Sequence, residues 1–142
     1  GLLGIVGAAD LPEDGVWWEG KQLLGSIMDN HLDGMRSYKY MCKKDKALEA
    51  MALDGVFLAT QYDVDWRKDL FTGWDFYDLS QCMEFYRRQY KVLVMPQIMP
   101  YCKHYCGVNL MENYDGWREV FLAEYREELC KLHEERERQG EG

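Results

Sequence analysis

Positive charge is in short supply in this 142-residue chain: 17 Lys and Arg stand against 25 Asp and Glu, for a net charge of −8. That balance argues against nucleic acid as a partner, because phosphates require a cationic surface. It argues equally against an anionic membrane surface. No apolar run approaches the roughly 20 residues that span a bilayer. The opening Gly1-Leu2-Leu3-Gly4 lacks the basic residues that begin a secretory signal. A Gly-rich phosphate loop, a Ser-His-Asp pattern and a zinc-protease helix motif are all missing. Cysteine is odd in number, five in all, and has no small-scaffold spacing. This points to a reducing, cytoplasmic setting.

What is present is apolar and aromatic. Hydrophobic residues make up 47% of the chain and aromatics 14%, with five Trp and ten Tyr. The length suits one domain around one core, read as spanning residues 1–142. Ring faces serve core packing and equally suit the C–H faces of sugars. The segment from Leu2 to Ala8 reads as a strand apolar on both faces. A sequence that opens inside a buried strand is read as part of a longer chain.

Asp10 to Gly15 is a turn cluster, and Val16-Trp17-Trp18 with Gln22-Leu23-Leu24 predicts a hairpin around Gly20. Asp29 to Gly34 reads as a polar loop, and Tyr38 to Cys42 as a short strand. Leu48 to Thr60 predicts two strands separated by a close approach at Gly55. Tyr62 to Gly73 is an irregular aromatic loop. Phe76, Leu79, Met83, Tyr86 and Tyr90 recur at helical spacing. A strand over Tyr90 to Met95 and an extended stretch from Ile98 to His104 follow. The last helix runs from about Tyr114 to Arg138, with Trp117, Phe121, Tyr125, Leu129 and Leu132 as its apolar stripe. Residues 133–142 read as a solvated or frayed tail. The order of strands, helix, strand, helix is that of an α/β or α+β domain.

Three clusters carry candidate chemistry. Gly73-Trp74-Asp75-Phe76-Tyr77-Asp78 sets two carboxylates three residues apart at a helix start. Either Asp75 caps the helix with Asp78 completing a capping box, or one of them is a general base. Cys102, His104 and Cys106 alternate and would share one face of a strand, as a soft-metal set or as a single polar-pocket His. Asp54-Gly55, followed by Thr60-Gln61-Tyr62-Asp63 and Asp65-Trp66-Arg67, offers an aspartate facing a ligand or a solvated bulge. Asp63-Val64-Asp65 also forms an Asp-x-Asp string, the kind that holds a divalent cation against a diphosphate.

Longer blocks then emerge. Gly4-Ile5-Val6-Gly7-Ala8 with Leu11-Pro12 and Val16-Trp17-Trp18-Glu19-Gly20 begins one; Asp54 through Asp63 with Trp66-Arg67 continues it. Leu70 through Gln81, Glu84-Phe85, Arg87 through Val92 and Cys102-Lys103-His104 complete it. Over residues 4–125 the chain resembles the family-two-like bacterial glycosyltransferases.

The resemblance implies an α/β, GT-A-like partial domain, a mixed sheet with flanking helices. In it, this chain is the C-terminal, acceptor-side portion, with the nucleotide pocket and its Asp-x-Asp motif upstream. It implies transfer of a sugar from a nucleotide-sugar donor to a hydroxyl of a glycan or lipid-linked acceptor, with inversion and with Mn²⁺ or Mg²⁺ in the intact enzyme. By the same resemblance Asp78 is the first candidate for the base and Asp75 the second. Asp54, Gly55, Trp74 and Tyr77 are candidates for substrate contact, and His104 for a metal ligand. The family follows that His with Asp, whereas Tyr105 stands here.

Two further readings compete: a carbohydrate-binding or interaction module that kept the fold without catalysis, and a small metal-binding domain on Cys102, His104 and Cys106. A partial domain would expose a sheet edge, so a homodimer is expected. Membrane association would come through other parts of a longer protein.

Overall fold

The computed structural model describes residues 1–108 and 110–140. The last two residues of the expected tail lie outside this range. In chain order the elements are β1 (Leu2–Gly4), β2 (Val6–Ala8), a 3₁₀ turn (Trp17–Glu19), β3 (Leu23–Asp29), β4 (Arg36–Lys39), β5 (Leu48–Glu49), β6 (Ala52–Leu53), β7 (Leu58–Ala59), α1 (Tyr77–Arg87), β8 (Val92–Val94), β9 (Lys103–His104) and α2 (Tyr114–Gly140). The result is a mixed α/β architecture. One sheet has the order β5-β8-β1-β7, and the other β4-β3-β2-β6 with β9 also beside β3.

The first apolar run is two strands rather than one. β1 pairs parallel with β8 and antiparallel with β7, whereas β2 pairs with β3 and β6. The chain turns at Ile5, whose carbonyl accepts from the Ser26 N–H and from the Gln97 side-chain amide. A seven-residue apolar run is therefore shared between two sheets. β3 is unbroken because Gly25 adopts φ 96°, and a Cβ there would stand 2.0 Å from the Ile5 carbonyl oxygen.

The hairpin expected around Gly20 is absent. Trp17–Glu19 coils into the 3₁₀ turn, and the Asp10 carboxylate accepts from the Lys21 and Gln22 N–H groups at 2.8 and 2.9 Å. Those bonds feed the chain directly into β3. The Leu48–Thr60 segment holds three two-residue strands, and the extended stretch after Ile98 pairs only at β9.

The helices form close to their predicted spans. α1 rests on β6 and β8 and packs against α2. Leu2, Met51, Leu53, Met83, Phe85, Phe121 and Tyr125 are each at most 1% exposed. Truncating one such aromatic costs about 3–5 kcal/mol. α2 kinks at Tyr125 (φ −110°, ψ 18°), where the hydroxyl donates 2.9 Å to Glu84 on α1. Beyond the kink it remains helical to Gly140, and His133 hydrogen-bonds the Leu11 carbonyl. Among the described residues no helix is long and apolar enough to cross a membrane.

Candidate active site

A cavity of about 560 Å³ opens where the 3₁₀ turn, the β6–β7 connection, the start of α1, the segment at β9 and the start of α2 converge. Asp54, Gly55, Trp74, Asp75, Tyr77, Asp78 and His104 all line it. The fold thus gathers the candidates for base, for substrate contact and for the His metal ligand, although they lie in three separate stretches of the chain.

Asp78 occupies the first turn of α1. Its Oδ2 accepts from the Gly55 N–H and its Oδ1 from the Leu79 N–H, both at 2.8 Å. Burial, and then the charge of Asp54, push its carboxyl up to about 7; the two N–H bonds oppose that shift. The capping-box expectation is corrected here. The residue at the N-cap is Phe76, in the left-handed region (φ 62°, ψ 0°), and no side chain caps the helix. Asp75 lies outside the helix, so it does not share a helical face with Asp78. The strained Phe76 is held by packing against Tyr114 and Phe121, with ring centroids 4.9 and 5.2 Å away. Burial raises the Asp75 carboxyl as well.

Asp54 follows β6 directly and accepts 2.8 Å from the Val56 N–H. Burial raises its carboxyl, so two proton-hungry carboxylates face one cavity. Gly55 is there for space: a Cβ would fall 2.0 Å from the Tyr77 hydroxyl. That hydroxyl is pushed up to about 12 by burial and by the charges of Asp78 and Asp54, so it stays a neutral donor. Trp74 is 89% exposed and stands edge-on to Tyr77.

At the cavity's other side, Asp29, His104 and Cys106 hold one potential ligand atom each, all within 4.8 Å of one another. His104 Nδ1 lies 2.9 Å from Asp29 Oδ2, and His31 bonds the other carboxylate oxygen. Burial raises the Asp29 carboxyl, but the His31 N–H, His104 and the His31 ring outweigh it and hold it below the usual range. Burial and then the Asp29 charge keep the Cys106 thiol protonated. The expected Cys102–His104–Cys106 set is replaced by this one. β9 is only two residues long, so the strand alternation does not extend to Cys102 or Cys106, and the side-chain atoms that meet are those of Asp29, His104 and Cys106. Carboxylate and imidazole together suit a borderline divalent cation, and a protonated thiol beside them adds little. Asp63 and Asp65 are exposed and do not line the cavity.

Sequence reading missed Asp29, Trp17, Trp18 and Tyr114, all brought to this region. Asp29 was assigned to a loop, yet it is the buried last residue of β3. An acidic residue closing an apolar run was the available signal. The two tryptophans were assigned to a hairpin.

Nothing matches the chain among curated proteins or among solved structures. The family model described as "Glycosyltransferase like family" matches residues 1–125, a span that takes in the whole cavity wall. The chain belongs to this glycosyltransferase-like family.

Proposed function

We propose that the cavity is the acceptor side of a GT-A-like transferase that moves a sugar from a nucleotide-sugar donor to a hydroxyl of a glycan or lipid-linked acceptor. The observation that carries this reading is Asp78, a shielded carboxylate titrating about 7 beside an aromatic wall. A general base works best when its pKa lies near the operating pH. Ionised Asp78 takes the proton from the acceptor hydroxyl. The oxygen bonds to the anomeric carbon from the face opposite the donor diphosphate, whose C–O bond breaks with its electron pair leaving on the nucleotide. This is a single, inverting displacement.

The Gly55 and Leu79 N–H groups fix the direction of the Asp78 carboxylate, and Asp54 keeps its basicity high. Asp75 is the second candidate for the base. Trp74 and Tyr77 offer ring faces and a neutral hydroxyl to the acceptor sugar. Asp29 and His104 fit a divalent cation, Mn²⁺ or Mg²⁺, which when bound neutralises charge on the leaving diphosphate. A reducing, cytoplasmic setting remains our reading. A homodimer would form at an outer strand; β5 and β7, two residues each, offer little edge.

Thermal melting with a panel of nucleoside-diphosphate sugars, with and without Mn²⁺, tests the donor side. The acceptor-side reading expects no rise with this chain; a metal-dependent rise would place a donor site within it, and its loss in His104→Ala would place His104 among the metal ligands. A rise that His104→Ala leaves intact removes His104 from the metal site.

A further inference from the structure

A second cavity, of about 490 Å³, adjoins the first and shares Trp74 and Tyr77 with it. Trp66, Arg67, Lys68, Phe71, Gly73 and Ser80 complete its wall. Trp66 and Trp74 each lie against Tyr77, at ring-centroid distances of 6.0 and 6.3 Å, so three rings cluster where the two cavities share a wall. Two of them are open to solvent: Trp66 is 44% exposed and Trp74 89%. Two exposed tryptophans against one tyrosine mark a contact surface.

The trough is pre-formed. The loop carrying Trp66 is tied to α1 by the Gln81 amide, which donates 2.9 Å to the Val64 carbonyl. Phe71 is buried beneath it against Trp117. Arg67 is bound to Asp69, Glu84 and Glu124, so its charge is already neutralised. The rest of the wall is chiefly the three rings with Lys68 and Ser80, a set that offers ring faces to the C–H face of a sugar and polar groups to its hydroxyls.

We propose that this trough holds the glycan chain of the acceptor, behind the sugar whose hydroxyl meets Asp78. The transferase therefore prefers an oligosaccharide chain over a single sugar as acceptor. The inference rests on the reading of the first cavity as the acceptor site, since the two cavities share Trp74 and Tyr77 in their walls.

Calorimetric titration of the chain with cello-, malto-, xylo- and chitohexaose, each against its monosaccharide, tests it. The expected result is that at least one hexasaccharide binds tenfold or more tightly than its monosaccharide. Trp66→Ala then weakens that binding by about tenfold, whereas Trp66→Phe, which keeps a ring, retains most of it. Trp74→Ala weakens it as well, and the near-complete exposure of Trp74 makes this variant safe for folding. Overturning results are equal affinity for chain and monosaccharide across all four sugars, or a chain-length gain that both alanine variants keep. Asp78→Asn separates this inference from the transferase reading. It keeps the preference for the hexasaccharide over its monosaccharide if the trough is correct, because both ligands lose the same Asp78 contact, and it lowers turnover in the intact enzyme only if the base assignment is correct.

Discussion

Asp78 and Glu84 are carboxylates on the same helix, both shielded from water, and their surroundings are opposite. Glu84 is enclosed by cations: Arg87 and Arg88 approach it at 2.9 Å and Arg67 at 3.4 Å, and Tyr125 donates to it. Burial pushes its carboxyl up, but Arg88, Tyr125 and Arg87 outweigh that and hold it below the usual range. Asp78 receives only two backbone N–H groups, and its nearest charge of consequence is another carboxylate, Asp54. One acid is locked in its charged form and ties α1 to α2 and to the aromatic loop. The other is balanced between forms and faces a cavity. The difference shows that burial alone does not decide what a carboxylate does; the sign of its neighbours does.

The largest expected effect comes from removing the balanced acid. In the intact enzyme Asp78→Asn lowers turnover about 10²–10⁴-fold, the range for losing a general base. Turnover near that of the wild type in a steady-state assay would transfer the role to Asp75. Removing the locked acid damages stability. Glu84→Gln leaves three arginines without their shared partner and costs about 3–5 kcal/mol in urea unfolding. A cost under about 1 kcal/mol would mean that Glu124 and Glu128, which also bind Arg87, suffice on their own.

The two acids also tilt stability against pH in opposite directions. The Asp78 pKa is raised on folding, so its contribution is complete below about pH 4 and is lost as pH rises through about 7. The Glu84 pKa is lowered, so its contribution holds above about pH 4.3 and is lost as pH falls through the depressed value. Melting curves between pH 4 and 8 should show Asp78→Asn gaining on the wild type as pH rises. Glu84→Gln should gain on it only when the curves are carried below pH 4, through the depressed Glu84 value. Parallel curves for wild type and Asp78→Asn would show that Asp78 titrates normally. The smallest effect expected is that of Arg67→Met, which removes one of the three cations around Glu84 and the tie to Glu124. It should cost about 1.5–3 kcal/mol and expose the loop around Trp66 to limited proteolysis sooner than the α1–α2 contact.

The helices were legible because their apolar residues recur with a helical period, and Phe121, Tyr125 and Leu129 are buried as that period requires. The short strands were less so. β5, β6 and β7 have two residues each, and pairing partners distant in sequence, not local pattern, decide where such strands stop. The division of Leu2–Ala8 between two sheets follows from Ile5 serving Ser26 and Gln97, neither of which is a neighbour in the chain.

The site divides in the same way. Spacing left Asp75 and Asp78 open between capping and catalysis, and Asp54-Gly55 open between a ligand contact and a bulge; the family resemblance is what put them forward together as a site. The sequence by itself therefore determined which side chains are available and the helix that carries Asp78. Only the tertiary structure decided that Asp54 lies close enough to raise Asp78, that Phe76 rather than Asp75 takes the N-cap position, and that Asp29 meets His104 across 75 residues of chain. The physical reason is range: periodicity and capping act over a few residues, whereas desolvation and charge act through space between segments that only folding brings together.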